Sequence, residues 1–177
     1  MHHTGKGKQT AYYGMILGLA LILSYVESLI PIPIPIPGIK LGLANSVILF
    51  VLYRNGVWKA AGISILRIIL SGFLFGNMAA IIYSLAGAAS SILIMYLLQR
   101  TKWFSITGVS VAGGVAHNVG QLITAAVIVQ TTAVYYYIPV LLLAGAVTGI
   151  LIGLAAGEIE KRVPDFILKN GGNQNDL

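Results

Sequence analysis

The sequence predicts an all-α integral membrane protein with six transmembrane helices, and three observations carry that prediction. Of its 177 residues, 57% are apolar and 9% charged, against about a quarter charged in soluble domains, and the mean hydropathy is +0.87. Charges and turn residues cut the chain into apolar runs at 11–30, 41–53, 57–75, 78–99, 105–130 and 135–157, to be compared with the ~20 residues that cross a bilayer. The cations, finally, alternate between junctions. With a cytoplasmic N-terminus, Lys6, Lys8, Arg54, Lys59, Arg100, Lys102, Lys161, Arg162 and Lys169 share one side and Lys40 alone takes the other, as the positive-inside rule requires. The expected layout is a cytoplasmic tail at 1–10, a membrane domain at 11–157 and a second cytoplasmic tail at 158–177. The net charge of +6 is spread over turns that anionic lipid favours, so it calls for no nucleic acid. The sequence contains no cysteine, which excludes disulfides, thiolate metal sites and cysteine nucleophiles.

The first run reads as a retained helix, because no small-residue cleavage site follows it. Gly14 and Gly18 put two small residues on one face of its cytoplasmic half, a spacing that lets another backbone approach closely. Near its end stands Glu27, the only carboxylate in the first 157 residues. Prolines then alternate from Pro31 to Pro37 before Gly38. Proline lacks an N–H, so this stretch is expected to leave the helix as a stiff extended strap on the outer side, ending at Lys40. A lid that pivots at Gly38 is the functional expectation for it.

The second run is short and carries Asn45 early. About ten residues into the third lies Arg67, ~15 Å deep at 1.5 Å per residue. An arginine at that depth should face the bundle interior and find a partner. Two readings stand for Glu27 and Arg67: a pair that fixes helix packing, or a ligand contact. The fifth run adds His117, Asn118 and Gln121 within a ~100° arc, and together with Asn45 they are expected to meet the two charges in a polar cavity open to the outside. A lone histidine offers no metal site. In the last run Gly145, Gly149, Gly153 and Gly157 form a ridge expected to pack inside the bundle. Tyr135, Tyr136 and Tyr137 precede it, as a cap on the cavity or an interfacial aromatic belt.

Two stretches carry a resemblance over residues 11–160: Ser24-Tyr-Val-Glu27-Ser-Leu-Ile-Pro31 through Pro37-Gly-Ile-Lys40-Leu-Gly-Leu-Ala-Asn45, and Gly114-Val-Ala-His117-Asn118-Val-Gly-Gln121. They resemble the Gx transporter family, whose members also carry the label heptaprenyl diphosphate synthase component I. That family is similar to the S components of energy-coupling factor transporters, which implies an S-component-like bundle in a bacterial cell membrane. The resemblance further implies an outward-facing substrate site capped by a loop. It also implies docking of an energy-coupling transmembrane subunit, with its ATPases, through Gly14 and Gly18, where glycine stands in place of the usual alanine.

The enzyme label conflicts with the residues. Prenyl elongation needs clustered aspartates to hold magnesium against a diphosphate, and the only aspartates are Asp165 and Asp176, beyond the last run. No Gly-Lys-Ser/Thr nucleotide loop is present either. The sequence therefore reads as a non-enzymatic, cofactor-free subunit binding a small anionic or amphipathic molecule through Glu27, Lys40, Asn45, Arg67, His117, Asn118 and Gln121. The alternative is a non-catalytic membrane partner in isoprenoid or quinone metabolism or extracellular electron transfer, recognisable by a lateral apolar opening between helices.

Overall fold

The computed structural model describes residues 3–30, 40, 42–130 and 136–162. The proline strap, Gly38, Tyr135, Lys169 and both aspartates lie outside the described residues. Among the described residues six helices follow one another: α1 His3–Ser28, α2 Asn45–Asn55, α3 Val57–Phe75, α4 Met78–Thr101, α5 Ile106–Val129 and α6 Ile138–Arg162. The outer two overrun the expected boundaries, since α1 already begins within 1–10 and α6 runs past 157. Nothing in those flanks breaks a helix: no proline occurs before Pro31 or between Pro139 and Pro164.

Five of the six, all but α2, are long and apolar enough to cross a membrane. The expectation of six spans stands in part: all six runs are helical among the described residues, and α2 alone is too short to cross by itself. With 11 residues, α2 is about 16 Å long, roughly half a hydrocarbon core. Its helical part starts at Asn45 because the preceding residues turn: Asn45 N–H donates to the Gly42 carbonyl at 2.8 Å and Ser46 N–H to Leu43 at 3.1 Å. Gly42 itself sits at φ 89°, a left-handed conformation that glycine adopts without a Cβ penalty.

The short helix is central. Val47, Ile48, Leu49, Val51 and Leu52 are all buried and form one apolar core with Ile16 and Ala20 of α1, Ala60 and Ile63 of α3, Met95, Val109 and Ala156. The longer helices instead turn residues such as Ile22, Phe73, Leu93, Leu143 and Leu151 outward, as lipid-facing surfaces do. A half-helix needs this enclosure, because non-helical backbone at membrane depth is tolerated only inside protein.

Local chemistry explains the breaks. Gly56 at φ 85° separates α2 from α3. Asn77 caps α4 by accepting from Ala80 N–H at 2.8 Å, and Ser105 caps α5 by accepting from Gly108 N–H at 3.1 Å. Pro139 lies in the first turn of α6, where its missing N–H costs nothing. α5 packs most extensively, against α4 on one side and α6 on the other. Gly145, Gly149 and Gly153 make the α5–α6 seam: a Cβ on each would come within 2.8 Å of Gly114 O, 2.6 Å of Val111 Cα and 2.5 Å of Thr107 Cα. The ridge is thus an internal seam, as expected, except at Gly157, which has open space around it.

A buried polar site at the start of α2

The site is assembled where α2 begins. Glu27, in the last turn of α1, is almost fully buried and its Oε1 accepts a hydrogen bond from Gly42 N–H; the Leu43 backbone also faces the carboxylate. A carboxylate therefore sits at the helix-entry turn, where peptide dipoles of α2 favour negative charge. One turn earlier on α1, Ser24 Oγ accepts from Arg67 Nη1 at 3.2 Å. Arg67 is buried in the middle of α3, pointing into the bundle as its depth demands.

Glu27 and Arg67 lie within electrostatic reach of each other, yet no hydrogen bond joins them. Glu27 Oε2 and Arg67 Nε and Nη2 are buried without a hydrogen-bond partner in the protein. The free pair Nε and Nη2 forms one edge of the guanidinium, the edge that takes a carboxylate or phosphate with two parallel hydrogen bonds. Asn45 Nδ2 is a third unpartnered buried donor. It lies beside Gly42, where a Cβ would come within 2.9 Å of it and within 3.3 Å of His117 Cδ2.

α5 closes the site. Gln121 Oε1 accepts from the Lys40 backbone N–H at 3.3 Å, so the Gln121 amide N–H donates to His117 Nε2 at 3.0 Å. That network assigns the His117 proton to Nδ1, which lies against Gly87 of α4 without a hydrogen bond. The imidazole rests directly on Gly87, where a Cβ would meet it at 2.9 Å. His117 thus holds Gln121 in place and turns only its ring edge to the site.

Lys40 contributes its backbone to this centre, while its ammonium lies over the Phe75 ring, 5.8 Å from the centroid, and that ring stacks edge-on against Tyr25. Burial pushes the Lys40 ammonium below the ordinary lysine range, with Glu27 opposing the shift and Arg67 adding to it. Asn118 departs from the expected set. Its amide N–H donates to the Leu141 carbonyl of α6 at 2.7 Å, placing it on the α5–α6 seam, at the other end of the ~100° arc.

Among the seven expected residues, then, Glu27, Asn45, Arg67, His117 and Gln121 come together with the Lys40 backbone, and Asn118 faces elsewhere. The sequence reading missed Ser24, Gly42 and Gly87. Ser24 stands three residues before Glu27 and so shares its helix face; Gly42 and Gly87 act through backbone and close approach, for which only the glycines themselves were a signal. Of the tyrosines, Tyr136 is exposed and Tyr137 packs against the cluster of Tyr83, Leu122, Ala125 and Leu141. Gly14 and Gly18 have nothing within 4 Å of an added Cβ, so they are not part of an internal seam. Among the described residues no group of three histidine, aspartate or glutamate side chains is placed to hold a metal ion.

A family model described as heptaprenyl diphosphate synthase component I matches residues 16–159. No curated protein and no solved structure matches the chain.

Proposed function

The chain belongs to the heptaprenyl diphosphate synthase component I family, and on that premise we propose that it is a non-catalytic, membrane-embedded subunit that binds a small anionic or amphipathic molecule, as the S component of a transporter does. The name component I implies a partner component. A buried polar atom left without a hydrogen bond costs about 1–3 kcal/mol, and the single observation that supports binding is the grouping of such atoms around the start of α2. Arg67 Nε and Nη2 and Asn45 Nδ2 offer donors, and Glu27 Oε2 offers an acceptor. The complementary ligand carries a carboxylate or phosphate for Arg67 and an N–H or O–H donor for Glu27. Lys40, His117 and Gln121 hold the loop and the amide that border it. In this reading the Lys40 end of the bundle faces outward, both termini are cytoplasmic, and the open Gly14–Gly18 face of α1 docks the energy-coupling subunit.

The test is mass spectrometry of small molecules that co-purify with the full chain. A species bearing a carboxylate or phosphate should accompany the native protein, be absent from Arg67→Ala, and be weakened in Arg67→Lys, which keeps the charge but loses the two-donor edge. Retention of the same species by an Arg67→Ala protein with unchanged thermal stability would overturn the assignment.

One observation favours the second reading, a partner in isoprenoid or quinone metabolism. An apolar recess of about 120 Å3 lies between α5 and α6, lined by Asn118 and by Val119, Leu122, Ile123, Ile138, Leu141 and Leu142. It is lateral and apolar, as a prenyl-chain site would be. Recovery of a prenyl lipid in place of a charged small molecule would favour it.

A further inference from the structure

At the opposite end of α2 from the polar site, a cleft of about 570 Å3 opens between the α2–α3 turn and the end of α4. Its walls include Tyr53, Trp58, Tyr96, Gln99, Arg100 and Lys102, and none of its lining residues is acidic. The volume lies within the usual range of ligand pockets. α3 starts on one wall, at Val57, without a side-chain cap and without an acidic residue in its first turn, so its terminal N–H groups add to the positive field. Lys102 closes α4 in a left-handed conformation and lines the cleft together with Arg100, itself braced by donating to Tyr96 Oη at 2.7 Å.

We propose that this cleft binds the phosphate headgroup of an anionic membrane lipid. The positive-inside pattern accounts for cations at this end of the bundle; it does not account for their convergence on a cleft with no acid in its lining. Depth selects the source of the phosphate. Trp58 and Trp103 are 87% and 89% exposed, and indoles so displayed settle at the headgroup level of a bilayer. A ligand therefore reaches the cleft from the membrane, where basic pockets between helices suit lipid phosphates. Lys59 is an internal comparison: it is exposed at the same end, outside the cleft lining, with its ammonium over the Tyr13 ring.

The sequence has two tryptophans, so Trp103→Phe leaves Trp58 as the only indole and a direct reporter. The full chain in neutral detergent is titrated with short-chain phosphatidylglycerol, short-chain phosphatidylcholine and inorganic pyrophosphate. Phosphatidylglycerol should give a saturable change in Trp58 emission. At the contribution usual for one cation near a membrane surface, Lys102→Gln weakens binding about fivefold and Arg100→Gln with Lys102→Gln about 30-fold. Lys59→Gln should leave it within about twofold, because one charge outside the site acts only through a screened field. Thermal midpoints matching the parent show that the variants are folded, and Lys102→Gln, at an exposed helix end, is the variant to rely on if the double change disturbs the fold. Three results would each overturn the proposal: equal affinity for phosphatidylcholine, pyrophosphate binding as tight as the lipid, or a loss in Lys59→Gln as large as in Lys102→Gln.

Discussion

Arg67 stands in the middle of a membrane-spanning helix with one hydrogen bond, to Ser24, and one open edge. A packing pair would have used that edge on Glu27, the acid within its reach; instead Glu27 is engaged by the entry turn of α2. The two charges thus differ, one engaged by the turn and the other leaving an edge open. Both were legible in the sequence, because a charge inside an apolar run is costly unless it faces the bundle interior. Ser24, Gly42 and Gly87 were not, because a serine in a helix, or a glycine near one, is usually just packing. Lys40 offers a pH experiment. Its folded pKa is lowered from 10.5 by burial, so between that lowered value and 10.5 the unfolded chain binds more protons and stability should rise with pH. Removing the group removes the slope. Followed from pH 8 to about 10.5, the thermal midpoint of the native protein should rise relative to that of Lys40→Met, as the protonated lysine's burial penalty is relieved.

At the scale of elements, α2 and the glycine faces decide the architecture. The apolar runs located all six helices and their order, and the breaks at Gly56, Asn77 and Ser105 follow capping rules. What apolar content could not register is that 41–53 is a half-helix enclosed by its neighbours, since a fully buried core helix and a short spanning helix have the same composition. Glycine spacing likewise could not tell seam from open face; only contacts do. Gly149→Ala places a Cβ against Val111 and Ser110 backbone and should cost about 1–3 kcal/mol through overpacking, seen as a lower thermal midpoint. Gly18→Ala meets open space and should leave the midpoint unchanged or raise it slightly through helix propensity. Gly14→Leu carries the partner test: it should leave the isolated chain equally stable while abolishing co-purification of a coupling subunit, and unchanged assembly would remove the docking role from this face.

The whole molecule divides unevenly. α4, α5 and α6 pack closely through glycine contacts, whereas α1 makes the sparser contacts, with α2 and α3. Backbone protection should follow, since local opening tracks packing. Hydrogen exchange of the full chain in nanodiscs is expected to show slower exchange in the central turns of α5 than at equivalent depth in α1; equal protection would mean that lipid, and not packing, sets the rates. The polar site straddles this division, with Glu27, Gly42, Asn45 and Arg67 from the first three helices and Gly87, His117 and Gln121 from the last three. Synthesis runs through the chain in that same order. Arg67 leaves the ribosome before Gln121 by an interval of roughly 3–10 s at 5–20 residues per second. During that interval the nascent first half carries a guanidinium and a carboxylate into the bilayer with neither His117 nor Gln121 yet made. The turn that Glu27 draws together at Gly42 is local to this half. It can therefore hold the short helix at depth while the newborn chain waits for the rest of its polar site.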